Sequence, residues 1–304
     1  MFTLKAENKN GELLELTNNS DYSVFKIDGL SPMPAAINGI QAVGYDGGIY
    51  TGSRCDNRNI SLQIVFNNNI ENARQRLYNF FATKNYVRLY FKNANRNVYI
   101  DGYVESMEVD LFSEMQSADI SIICFQPFFV DAEDPTHILT YGQITALFEM
   151  PFEIDTESQG IEFSLSSGEG ISAEVIGGDS ESGVIFFITL TNSVGQQDRM
   201  VELHVVNDTT GEEIVIERRM AFNSTERVHE IYINTFKGSK QVTEKVVRSY
   251  NTREYNLFPY MTKSDWISIA PGVNVLRVYE GDTHGSPNLN ITAYCHAFRY
   301  YIGV

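Results

Sequence analysis

Five histidines, three cysteines and 39 acidic side chains are the groups of this 304-residue chain that could do chemistry. Their spacing offers none of the arrangements that catalysis or metal binding needs. His137, His204, His229, His284 and His296 are scattered, and none stands in a His-Glu-X-X-His spacing. His204 and His229 fall in strand patterns, where an imidazole satisfied by its neighbours is the expectation. Cys55, Cys124 and Cys295 are odd in number and too far apart for a metal knuckle. They suit small buried side chains in a reducing compartment. Cys295 and His296 are adjacent, but neighbouring strand residues point to opposite faces, so they cannot meet as nucleophile and base. There is no Gly-X-Ser-X-Gly elbow, and nothing singles out two carboxylates for glycoside cleavage. The residues therefore read as a non-enzymatic protein, with no catalytic residue, no cofactor and no metal ligand set.

Two further segments invite a binding reading. Gly44-Tyr45-Asp46-Gly47-Gly48-Ile49-Tyr50-Thr51-Gly52 is rich in glycine, but no Gly-Lys-Ser/Thr follows, so a phosphate cradle is not expected. A long loop or a hairpin excursion is. Trp266 is the single tryptophan. It either covers one end of a core or, with Tyr260 and Tyr255, forms a platform on which a sugar ring could stack.

The elements that must position these residues are almost all strands. Abundant Tyr, Phe, Ile and Val, with many Asn and Gly, is the composition of a mainly β protein. Ile60, Leu62, Ile64 and Phe66 alternate with Ser61, Gln63 and Val65 in a mostly period-2 pattern, and Tyr86–Phe91, Val98–Leu111 and Ala118–Phe125 follow as strands. Tyr90, Phe91 and Tyr99 offer aromatic cross-strand pairs. Ile70, Ala73, Leu77, Phe80 and Phe81 recur at helical spacing, with Asn68 as the expected cap and Glu71 in the capping-box position. The acidic, proline-ended stretch Asp131–Pro135 marks a boundary. The expected organisation is an N-terminal domain over 1–132, a linker over 133–152 and a C-terminal β-sandwich over 153–304. In the second half, strands are expected at Ile161–Leu165, Ser172–Ile176, Val184–Thr191, Val201–Asn207, Glu213–Glu217, Val228–Asn234, Val242–Val247, Val273–Glu280 and Leu289–Tyr294.

Charge narrows the partners. The net charge is -16, with -4 carried by residues 1–132 and -12 by residues 133–304. Such a balance argues against sequence-specific nucleic-acid binding and against docking on an anionic membrane. The N-terminus has no apolar stretch of the signal-peptide kind, and the longest strongly apolar run, Val184–Leu190, is far short of a membrane span.

Several segments, taken in order, resemble the phage tail family of siphophage distal tail proteins, which form baseplate hub rings. They are Ile27-Asp28-Gly29-Leu30, Ser53 to Leu62, Arg74 to Phe81, Val87 to Phe91, Ile100 to Ser106 and Ser121 to Phe129. In the second half, Ile231 to Thr235 with Gly238, Trp266 to Asn274 and the closing Tyr301-Ile302-Gly303-Val304 are similar too. The family's Cys-Pro near position 124 takes a looser form here, Cys124-Phe125-Gln126-Pro127. The resemblance implies an N-terminal β-barrel or sandwich-like domain with one helix, and a galectin-like or carbohydrate-module-like sandwich behind it. It implies a virion structural protein at the tail tip, assembled in the host cytoplasm, whose N-terminal domains close into a hexameric ring. The implied partners are other copies of the chain, the tail tube protein, a tail-associated hub protein, a peripheral or receptor-binding protein and a host glycan. The expected ring contacts are Tyr45, Gly47, Gly48, Tyr50, Arg54 and Arg58, because exposed Tyr and Arg suit interfaces.

Overall fold

A computed structural model describes residues 2–41, 43–44, 46–133, 137–141, 144–146, 164–166, 169–192, 197–222, 226–248, 252–281 and 289–304. The chain divides into two compact units, Met1–Pro135 with Tyr300–Val304, and Thr136–Arg299.

Unit 1 contains β1 (Thr3–Asn8), β2 (Leu13–Glu15), β3 (Tyr22–Asp28), β4 (Ala35–Ile40), β5 (Ile49–Cys55), β6 (Arg58–Phe66), α1 (Ile70–Phe80), β7 (Tyr86–Lys92), β8 (Asn97–Asp110), β9 (Ser117–Cys124) and β10 (Phe129–Asp131). The main sheet runs β2-β1-β7-β8-β9-β6-β3, with β10 against β8. Alternation sends Ile60, Leu62 and Ile64 of β6 inward, beside Leu89 of β7, Ile100 of β8 and Ile120 of β9. All these side chains join one core, closed by Ala73, Leu77, Phe80 and Phe81 around α1, so the sheet curls about its apolar face. The aromatic pair expected of Tyr90 and Tyr99 is present at 5.9 Å, while Phe91 turns into the core against Phe129. Gly102 of β8 leaves no room for a side chain against β9. A Cβ there would lie 2.6 Å from Ile122 Cγ2 and 2.9 Å from Cys124 Sγ.

The helix begins differently from the expectation. Asn69, not Asn68, precedes it, in the left-handed region at φ 48°, and makes no side-chain cap. Its carbonyl instead accepts the Ala73 N–H at 2.9 Å. The Asn68 amide donates to Ser20 O, and Glu71 pairs with Arg74. Asparagine tolerates the left-handed turn, which frees its neighbour to bridge to the loop before β3.

Unit 2 contains β11 (His137–Tyr141), β12 (Ile144–Ala146), β13 (Ser164–Ser166), β14 (Glu169–Ile176), β15 (Ser182–Asn192), β16 (Gln197–Asn207), β17 (Glu212–Phe222), β18 (Glu226–Asn234), β19 (Gln241–Arg248), β20 (Thr252–Asn256), β21 (Met261–Ser264), β22 (Ser268–Ile269), β23 (Gly272–Glu280) and β24 (Leu289–Ala297). One sheet runs β11-β24-β15-β18-β19-β20 and the other β14-β23-β16-β17-β21. Phe186, Ile188, Ile231 and Ile233 of the first meet Leu203, Val205, Ile216 and Leu276 of the second in one core. Two antiparallel sheets sharing a single core make a β-sandwich. Most of the expected strand Ile161–Leu165, much of the expected linker 133–152, and His284 lie outside the described residues.

After β24 the chain returns to unit 1 as β25 (Tyr300–Tyr301), which pairs with β10. Placing residues 153–304 together in one domain omits this return. Two paired residues carry too little pattern to be read as a strand, and nothing in them names a distant partner.

Candidate interaction surface

The Gly-rich segment lies at the turn of a two-stranded ribbon, β4 with β5, that pairs with no other strand among the described residues. Gly44 and Gly47 take positive φ, at 85° and 97°, as the turn requires. Nearly every residue of both strands is exposed. Ile37 is 73% exposed, Ile40 60% and Ile49 61%. A lone two-stranded ribbon is marginal in water, and this one leaves its apolar side chains uncovered. The β8–β9 hairpin has a bulge between Val104 and Ser106, and the loop joining its strands is exposed, with Phe112 98% exposed.

Gly47, Gly48, Tyr50 and Arg54 all lie on the ribbon. The Tyr50 hydroxyl is 2.8 Å from Ser53 Oγ, and Arg54 Nε is 3.3 Å from Asp56. Tyr45 lies outside the described residues. Sequence reasoning found the glycines but missed Ile37, Ile40 and Ile49. Ile37 and Ile40 stand three residues apart across a register shift, so no regular period marks them, and residue type alone does not reveal their exposure.

Arg58 corrects the expectation. It is 1% exposed, the largest fully buried side chain among the described residues. Its Nε donates to Pro127 O at 2.6 Å, Nη1 to Ser31 O at 2.8 Å and to Gly29 O, and Nη2 to Ile302 O at 2.7 Å. The guanidinium lies 4.5 Å over the Phe129 ring. Four carbonyls and a ring face replace the water the cation has lost, which is what makes its burial tolerable. Burial still pulls its pKa below the usual arginine value and pushes the Cys124 thiol up to about 12. Gly29 is needed here: φ is +89°, and a Cβ would lie 2.1 Å from Asn59 O. The C-terminal return is tied beside it, with Val304 N donating to Leu30 O at 3.2 Å and Phe128 stacked on Tyr300 at 5.6 Å.

In unit 2 the sugar platform expected of Trp266, Tyr260 and Tyr255 is not assembled. Trp266 packs half-buried against the core, 5.9 Å from the Phe258 ring and under Lys240 Nζ at 4.5 Å. Tyr255 and Tyr260 flank Arg218 instead, at 4.5 and 5.0 Å. Arg218 pairs with the buried Glu244, whose other oxygen is 2.6 Å from His229 Nδ1. His204 lies between Glu213 at 2.7 Å and Glu202 at 3.2 Å, stacked on Tyr279. Both imidazoles are thus held by neighbouring strands. Cys295 is buried, while the His296 ring packs on Phe187. Cys55, expected to be buried, is exposed near the base of the ribbon. Among the described residues no group of His, Cys, Asp or Glu gathers to hold a metal, and no helix is long and apolar enough to cross a membrane.

Residues 9–124, which form most of unit 1, match the family of phage tail protein RIFT-related domains. Unit 1 thus carries the sequence pattern of that phage tail domain. Over its whole length it has the fold of the Dit protein of phage SPP1, described as a paradigm of the hub adsorption apparatus in phages that infect Gram-positive bacteria. The match covers 99% of each chain with a TM-score of 0.58 and 13% sequence identity. A chain of the phage p2 baseplate, in its activated conformation with strontium, aligns over 100% of both chains with a TM-score of 0.48 and 13% identity. No curated protein sequence matches.

Proposed function

We propose that the chain is a hub subunit of the phage tail tip. Six copies close into a ring through unit 1 and join the tail tube to the tail-associated hub protein of the baseplate. Unit 2, a galectin-like sandwich carrying most of the acidic excess, faces outward toward peripheral proteins or the host surface. The protein acts by assembly rather than catalysis, and its place is the virion.

The observation that carries this reading is the uncovered ribbon. Its three isoleucines gain nothing in the free chain and would lose water against a neighbouring copy. A ring is closed by heterologous contacts, so the ribbon of one copy must meet a different surface of the next. Tyr50 and Arg54 would add the aromatic and guanidinium contacts favoured at interfaces.

Light scattering on the purified chain tests the proposal. Six copies per particle are expected. Ile37→Asp with Ile49→Asp should yield monomers whose melting temperature is unchanged, because neither side chain touches the core. A wild-type chain that stays monomeric at high concentration and joins no tail component overturns the proposal. So does a folded variant lacking Gly47 and Gly48 that still assembles.

A further inference from the structure

The outer face of the larger sheet of unit 2 carries a groove of about 480 Å³. Strand register builds its floor. Phe187 of β15 stands opposite Tyr294 of β24 on one side and opposite Tyr232 of β18 on the other. The Phe187 and Tyr294 rings stack at 4.7 Å, and the Tyr232 ring meets Phe187 edge-on at 5.3 Å. The next outward-facing row is polar. Thr189 stands opposite Glu230, Glu230 opposite Lys245, and Lys245 opposite Glu254. Lys245 Nζ is 3.6 Å from Glu230. The intervening residues Phe186, Ile188, Ile231 and Val242 fill the core, so these two rows are what the sheet offers to solvent.

We propose that this groove binds a neutral saccharide. An aromatic row beside a row of mixed donors and acceptors matches both sides of a sugar. The C–H faces of the ring cover the aromatic carbon, and each hydroxyl both donates and accepts, so one sugar can satisfy Glu230 and Lys245 together. Two carboxylates against one ammonium disfavour an anionic ligand. A peptide strand finds no purchase on the floor, because β15, β18 and β19 are each paired on both sides and present no open backbone edge. The volume lies within the range of small-ligand sites. This site is distinct from Trp266, Tyr255 and Tyr260. It rests on reading unit 2 as a surface-contact module, and not on ring closure.

The full-length protein on a printed array of neutral and acidic oligosaccharides gives the first test, followed by calorimetric titration with the best neutral binder. Binding to neutral oligosaccharides is expected. Tyr294→Ala and Glu230→Gln should each weaken it at least tenfold, and Tyr260→Ala should leave it unchanged. Glu230 is exposed, so its variant keeps the test valid if Tyr294→Ala fails to fold. Absence of binding at millimolar oligosaccharide overturns the proposal, as does binding to acidic glycans alone or an affinity that survives Glu230→Gln. Light scattering on the same samples separates the two ideas. An assembled particle without glycan binding removes only the groove, and a glycan-binding monomer removes only the ring.

Discussion

The two units bury charge in opposite ways. Unit 1 encloses a cation, Arg58, among neutral backbone carbonyls drawn from the loop after β3, the segment after β9 and the C-terminal return. Unit 2 encloses an anion, Glu244 on β19, between His229 on the neighbouring β18 and Arg218 on β17 of the opposite sheet. The first arrangement gathers segments as far as 244 residues apart in sequence and so pins the topology of the unit. The second spans adjacent strands and clasps one edge of a sandwich whose core already holds the sheets together. The Arg58 cluster should therefore govern whether unit 1 folds, whereas the Glu244 cluster should tune how firmly unit 2 stays closed.

Arg58→Met sharpens that contrast most. It removes the guanidinium's hydrogen bonds to four backbone carbonyls and unties the C-terminal return. A loss of about 3–5 kcal/mol is expected, the scale set by breaking a buried charged cluster. Urea unfolding followed by hydrogen exchange should place the loss in residues 1–133, with the protection of β15 and β18 unchanged. Loss spread evenly over both units would break the comparison. Glu244→Ala is the counterpart in unit 2. It leaves His229 Nδ1 and Arg218 without their carboxylate, at a cost of about 2–4 kcal/mol. A variant as damaging as Arg58→Met would mean that the clasp is no less central than the knot.

Steric closeness gives a smaller effect within unit 1. Gly102→Ala places a methyl against Ile122 and Cys124, both fixed in the core. Overpacking of this kind costs about 1–3 kcal/mol, readable as a lower denaturation midpoint at constant slope.

These residues also show how far the sequence could be read. β6 was legible because Ile60, Leu62 and Ile64 alternate, and α1 because its apolar residues keep helical spacing. β20 and β21 were not, since Thr252–Asn256 and Met261–Ser264 are short and largely exposed. Arg58 read as a surface residue because its charge says so; its acceptors are backbone atoms, which leave no side-chain signature. Trp266 drew the sugar reading by residue type alone. The groove instead takes Phe187, Tyr232 and Tyr294 from three strands, and only register makes them neighbours. The ribbon's turn was visible in its glycines, but its lack of a partner strand was not.

The smallest effect separates the exposed charges of unit 2 from its buried clasp. Glu213 is held below the usual carboxylate range, first by the Lys263 ammonium at 2.9 Å and then by His204. A depressed folded pKa contributes stability above the unfolded value near 4.5, and that contribution disappears as pH falls below it through the folded value. The pair is partly exposed, so solvent and salt screen it and the effect is small. Acidification from pH 7 to pH 3 should lower the melting temperature of the wild type more than that of Glu213→Gln, and 1 M salt should shrink the gap. Equal losses in the two proteins would show that the Glu213–Lys263 pair contributes nothing to the acid response of unit 2.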